Sequence, residues 1–159
     1  MNAILDATDL NRAVATAILG MDAAVSGGLQ EGAEGVAQSA KRDHDYKDRT
    51  GALTRSIRAG QVRGAFYARG LEVDVAADEP HAAAIEMGAR PHVITARHAR
   101  ALRFQRGGAV VFRRSVNHPG NKPYRYLANA LEHEIDDVAE HCFEGALDAL
   151  RDAGFVIER

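Results

Sequence analysis

The sequence contains no tryptophan, one cysteine and four prolines, and aromatic residues make up 6% of it. With so few aromatics, a core must be assembled from Ala, Leu, Val and Ile. The lone thiol, Cys142, excludes an intrachain disulfide. That fits a reducing compartment. There is no run of about 18 apolar residues, so no membrane span is expected. The first residues, Met1-Asn2-Ala3-Ile4-Leu5-Asp6, lack the basic start and apolar centre of a secretory signal. No internal repeat or low-complexity tract is visible. With 159 residues, 46% of them hydrophobic, the chain is expected to form one domain able to bury a core.

The most informative absence is local. Residues 90–125 contain no Asp and no Glu. They carry Arg90, Arg97, Arg100, Arg103, Arg106, Arg113, Arg114, Lys122 and Arg125, a formal charge of +9, and three of the four prolines. The whole chain is −2, which leaves −11 for everything else. Charge gathered in one segment makes a local field that suits an acidic partner.

The apolar periodicity predicts two long helices around a small sheet. Leu10, Val14, Ala17, Met21, Ala24 and Val25 recur at helical spacing behind a candidate cap at Asp9. Val36, Ala37 and Ala40 resume the stripe beyond Gly27, Gly28, Gly32 and Gly35. The reading is one long helix ending near Lys41 to His44, with a break into two helices as the alternative. The glycines suggest close backbone approach to a neighbouring subunit. Residues 43–49 read as a charged, mobile loop, followed by a turn from Thr50 with Leu53 and Ile57 inward.

Strands are expected over 57–62, 65–68 and 71–76. In the last, Leu71, Val73 and Val75 alternate with Glu72 and Asp74. Pro80 opens a short helix that Gly88 closes. Residues 102–105 and 109–113 read as a hairpin. A three-residue loop, Arg106-Gly107-Gly108, would set Phe104 against Val110 and Leu102 against Phe112, collecting four apolar residues on one core-facing side. Residues 117–123 read as turn throughout.

Leu127, Leu131, Ile135, Val138, Cys142, Ala146, Ala149 and Ala153 mark the last helix, which has an acidic outer face and ends at Gly154. The fold class is therefore α+β: a small, mainly antiparallel β-sheet with a long β-hairpin, flanked by a long N-terminal and a long C-terminal helix. The single domain divides into an N-terminal helix (1–44), sheet, hairpin and loops (45–125), and a C-terminal helix (126–154).

Catalytic chemistry has little support. His133-Glu134 begins like a zincin motif, but Asp137 stands where the second histidine is needed. His133, Asp137 and His141 share a helical face, which reads more plainly as solvated polar surface than as a metal site. His81, His92, His98 and His118 fall on separate loops or strand ends. Ser56 and Ser115 lack nucleophile motifs, and Gly107-Gly108 opens no helix to cradle phosphate. Nothing points to a paired-carboxylate site, and no catalytic, cofactor or metal residues are assigned.

The arginines remain. Arg97, Arg100, Arg103 and Arg106 recur every third residue, so they cannot all share one face of a strand. They either pair with the chain's own acidic helices or meet nucleic acid phosphates or another acidic surface. With Phe104 and Phe112 assigned to the core, base stacking is not expected.

Four ordered pieces resemble the bacteriophage tail-completion family, also called minor tail or head–tail joining proteins. The first is Asp48-Arg49-Thr50-Gly51-Ala52-Leu53-Thr54-Arg55-Ser56-Ile57, similar to a Thr-Gly-x-Leu-x-x-Ser-Ile segment. The second is Ala82-Ala83-Ala84-Ile85-Glu86-Met87-Gly88-Ala89-Arg90-Pro91-His92. The third is Ala101-Leu102-Arg103-Phe104 followed by Val111-Phe112-Arg113. The fourth is His118-Pro119-Gly120-Asn121-Lys122-Pro123 before an amphipathic helix. Ala89 and Asn121 stand where the family has threonines.

The resemblance implies structural roles for Thr50, Gly51, Leu53, Ser56, Ile57, Glu86, Gly88, Arg90, Pro91, His118, Pro119, Gly120 and Pro123. It implies a non-catalytic virion protein of the phage neck, assembled in the bacterial host cytoplasm. Its partners would be itself in a ring, most plausibly a hexamer, the head connector or adaptor, and the tail tube or tail terminator. Genome DNA could pass through the lumen, with Arg97, Arg100, Arg103, Arg106, Arg113 and Arg114 as channel or subunit contacts. An acidic helix and a basic hairpin also suit head-to-tail packing. Monomers with mobile loops at 43–50 and 97–120 are expected before assembly. The alternative is a small nucleic-acid-associated protein that binds phosphates through residues 90–125.

Overall fold

A computed structural model describes residues 7–157. The N-terminal stretch read above for a signal sequence lies outside the described residues. In chain order the elements are α1 (Thr8–Arg42), α2 (Ala52–Ser56), β1 (Ile57–Ala59), β2 (Arg63–Ala65), β3 (Gly70–Glu72), β4 (Val75–Ala77), α3 (Ala82–Met87), β5 (His92–Thr95), β6 (Leu102–Arg106), β7 (Ala109–Arg113), β8 (Ser115–His118) and α4 (Tyr126–Asp152). The strands pair antiparallel as β1–β4, β2–β3, β5–β8 and β6–β7. The class is α+β, with long helices first and last. The chain groups into two compact units: Met1–Glu79 with Tyr126–Arg159, and Pro80–Arg125.

In the first unit α1 runs unbroken through all four central glycines. Its partner is α4, packed antiparallel. Gly20 faces Ala149, Ala24 faces Gly145, Gly28 faces Cys142 and Gly32 faces Val138. A Cβ on Gly32 would overlap the Val138 side chain. Of the four central glycines, Gly28 and Gly32 make a close approach within the chain, while nothing lies within 4 Å of a Cβ on Gly27. Each helical glycine costs about 1 kcal/mol relative to alanine, and close packing offsets that cost. Asp9 does not cap α1. Ala7 is the N-cap, without a side-chain bond. Asp9 sits in the first turn, 2.8 Å from Arg12, where its charge suits the helix dipole.

The core lies where α1 meets α2 and β1. Leu53 and Ile57 are each 1% exposed, beside small α1 residues such as Ala33, Ala37 and Ala40. The loop at 43–50, expected to be mobile, is tied down. Asp48 accepts hydrogen bonds from the N–H of Gly51 (2.8 Å) and of Thr54 (2.9 Å), and from the Thr54 hydroxyl (2.8 Å). Those bonds, the Thr54 backbone first, hold its carboxyl below the usual range. Tyr46 is buried and meets Tyr126 edge to face at 5.1 Å.

The four strands of this unit form one interrupted hairpin. Ile57 pairs with Ala77, but Arg63 pairs with Glu72, so the register slips by one residue between the ladders. This is the signature of a bulge. Gln30 of α1 fills it, donating to the Gly60 carbonyl and accepting from the Val62 N–H, each at 3.1 Å. The strands expected at 57–62 and 71–76 are therefore cut short, although burial still alternates along the second. The strand expected at 65–68 is a turn after Ala65, whose Phe66 N–H donates to Asp22 at 2.6 Å. The C-terminus of α4 follows expectation. Gly154 has φ +90°, its N–H reaches the Arg151 carbonyl, and the Phe155 N–H reaches that of Leu150.

By length and composition α1 could cross a bilayer, its most apolar window having a mean hydropathy of 1.2. One side of it is used within the unit, by α4 and by the hairpin backbone that Asp22 and Gln30 hold, while Leu10, Val14, Ile18 and Leu19 stay exposed.

Candidate functional site

The second unit is an arm on a clamped base. The clamp joins the second and fourth sequence pieces. Ala89 and Asn121 exchange backbone hydrogen bonds at 3.0 Å, and the N–H groups of Tyr124 and Arg125 reach the carbonyls of Ile85 and Glu86. Gly88 and Gly120 have φ of +81° and +80°. A Cβ on Gly120 would overlap the Ala89 carbonyl, and one on Gly88 would lie 2.9 Å from the Pro123 nitrogen. Only glycine fits both the dihedral and the space. Arg90 offers its carbonyl to His92 Nδ1 at 2.8 Å, and Pro91 leads directly into β5.

In the first piece, Gly51 (φ +69°) precedes α2, the Thr50 hydroxyl accepts from the Ala52 N–H, and the Ser56 hydroxyl donates to the Leu53 carbonyl.

From the clamp, β5 and β8 run as a two-stranded ladder from His92 opposite His118 to Thr95 opposite Ser115. Asn117 and His118 are thus strand, and the turn expected over 117–123 begins only at Pro119. The Ala96 N–H continues the ladder to the Arg114 carbonyl, after which residues 97–101 loop out. The β6–β7 ladder then closes the arm, with Arg106 opposite Ala109 and Leu102 opposite Arg113.

That register corrects the expected three-residue loop. The turn is the two-residue Gly107-Gly108, with φ of +58° and +80°. Positive φ at both positions matches the type I′ turn, whose twist suits a two-stranded ribbon. Collecting four apolar residues on one face would outweigh this only if a core waited there. Phe104 lies opposite Val111 and, with Leu102, shares a half-buried face with Arg106 and Arg113. Arg103, Gln105, Val110 and Phe112 share the other. Phe112, assigned to the core from sequence, is 58% exposed.

Arg97 and Arg100 lie in the looped-out residues, Arg103 and Arg106 on β6, Arg113 at the end of β7, and Arg114 between β7 and β8. All six are exposed. Among the described residues none of them pairs with a carboxylate; Arg113 donates only to the Phe112 carbonyl. In the first unit Arg49, Arg55 and Arg69 likewise meet no carboxylate among the described residues, but five others do. Arg12, Arg42, Arg58, Arg63 and Arg151 each meet a nearby Asp or Glu. The second unit has nine Lys and Arg against one acid, Glu86.

The other chemistry stays dispersed. Among the described residues no three His, Cys, Asp or Glu side chains are grouped to hold a metal ion. His141 Nδ1 bonds the Asp137 carbonyl at 2.7 Å, tying it to its own helix. His92 and His118, read as separate, face each other across the ladder with ring centroids 5.0 Å apart. Burial pushes the Cys142 thiol up, as suits a small hydrophobe against Gly28.

Sequence reasoning missed the tethering role of Asp48, although an acid shortly before Thr-Gly is a recognisable turn signal. It also missed Gln30, which no local pattern marks. Comparison with known protein families, characterised proteins and solved structures returns no match.

Proposed function

We propose that the chain is a structural subunit of a tailed-phage neck, forming a ring that joins or completes the tail at the head–tail interface. The observation that carries this reading is the arm: six exposed arginines, on a two-stranded ribbon and its flanking loop, with no carboxylate partner among the described residues. Two strands alone are marginal in water, and a cationic ribbon gains order when it docks on an acidic surface. Support also comes from the ordered sequence pieces, two of which form the clamp that carries the arm.

In this reading the subunit acts without catalysis. It packs against its own copies, most plausibly as a hexamer, and bridges the head connector or adaptor and the tail tube or terminator. Its arginines serve as contacts to those neighbours or to genome DNA in the lumen, and its location is the virion. Reversing charge with Arg103→Glu and Arg106→Glu should leave the free chain folded and block head–tail joining in a phage complementation assay. Particles that join normally would refute the arm as contact surface.

A second reading, direct binding of nucleic acid phosphates, is favoured by exposed Phe112 opposite Arg103 on a ribbon of groove-compatible width. It requires duplex binding by the isolated chain with a steep loss of affinity as salt rises, a slope of about −0.9 per phosphate contact.

A further inference from the structure

The first unit carries an open apolar groove of about 330 Å³ that its own fold leaves unfilled. Its walls are Met21 and Val25 of α1, Phe66 of the β2–β3 turn, and Phe143, Leu147 and Leu150 of α4. The hydrogen bond from the Phe66 N–H to Asp22 fixes one wall, while Phe143 is 61% exposed. Apolar exposure continues along α1, where Leu10, Val14 and Ile18 step towards Met21 and Val25.

Charge narrows the choice of occupant. Asp136 and Glu140 are exposed on α4 at helical spacing from Phe143. The groove is therefore apolar within and acidic at its edge. The chain itself carries the matching shape on the exposed face of β6–β7, where Val110 and Phe112 stand beside Arg103, with Arg113 and Arg114 next in sequence.

We infer that the groove receives the β6–β7 arm of a second copy of this chain, with Phe112 seated against Phe143 and Leu147 and Arg103 facing Asp136 and Glu140. An aromatic anchor rimmed by charge is the usual build of an interface hot spot. Arm and groove belong to different surfaces, so the contact is heterologous, and its repetition closes a ring if the rotation permits. The inference rests on the neck reading only for that closure.

The test uses the full-length chain with two exposed-site variants, Phe112→Lys and Phe143→Lys, in analytical ultracentrifugation, with circular dichroism to check folding. The wild type should self-associate as concentration rises, and each variant should stay folded with association weakened at least tenfold. An equimolar mixture of the two retains one intact arm and one intact groove per pair. It should form dimers that grow no further. A wild type monomeric at every concentration would overturn the inference. So would variants that associate like wild type, or a mixture that stays monomeric. Head–tail joining is scored separately. A chain that self-associates as described but plays no part in joining would sink the neck reading and leave this interface standing, whereas a monomeric chain that still joins heads to tails would do the reverse.

Discussion

The two units differ in the share of their arginines that meet acids. In the first, arginines such as Arg58 and Arg63 lie against the carboxylates of Asp78 and Asp74, and the packing is close enough that glycines of α1 touch α4. In the second, six arginines stand exposed on a ribbon two strands wide and its flanking loop, without acidic partners among the described residues. Exposed ion pairs contribute little to stability, typically 0–1 kcal/mol, so they do not make the first unit firm. Its buried apolar side chains do. The lesson is a division of labour: buried apolar packing holds the helix pair and its attached hairpin, while in the proposed reading contact is shared between the exposed arm and the open groove on the helices.

Substitutions can break or sharpen that contrast. The largest effect is expected at Leu53, fully buried between α1 and β1. Leu53→Ala should cost about 3 kcal/mol in urea unfolding, while Val110→Ala on the exposed arm should stay within about 0.5 kcal/mol. Equal losses would erase the difference between the units. Next comes the helix contact: Gly32→Val forces atoms into the space of Val138 and should cost about 1–3 kcal/mol in thermal melting.

A smaller effect belongs to Asp48. Hydrogen bonds, led by the Thr54 backbone, depress its folded-state carboxyl. The resulting stability is fully present above the unfolded-state value, about 3.9, and is lost as pH falls through the lower folded value. Asp48→Asn should therefore flatten the decline in urea midpoint below about pH 4, and an unchanged acid limb would refute the tether. Smallest of all, Arg103→Gln with Arg106→Gln should shift stability by less than about 0.5 kcal/mol, since neither side chain has a partner to lose.

Much of this architecture was legible because periodicity reports burial. The extent of α4, the α+β class, the turn around Thr50 with Leu53 and Ile57 inward, and the glycine stops at Gly88 and Gly154 all follow from local chemistry, although Leu131 and Ile135 of the α4 stripe stay exposed. Several of the errors arise where a residue's partner is remote in sequence. The glycines of α1 pack on α4 more than a hundred residues away. The bulge that shortens β1 is held by Gln30, whose amide carries no pattern. The arm register was misread because a core was assumed on one face. Without that core, the twist of the Gly107-Gly108 turn decided the pairing. The arginines themselves were plain from composition, whereas their lack of acidic partners depended on the positions of carboxylates far along the chain.

The most direct test of the arm as contact surface is arginine-specific covalent labelling, read by mass spectrometry on the free chain and on joined phage particles. Arg97, Arg100, Arg103, Arg106, Arg113 and Arg114 should label readily in the free chain and be protected in the particle, while Arg58 and Arg63 change little. Equal labelling of the six arm arginines in both states would contradict the account.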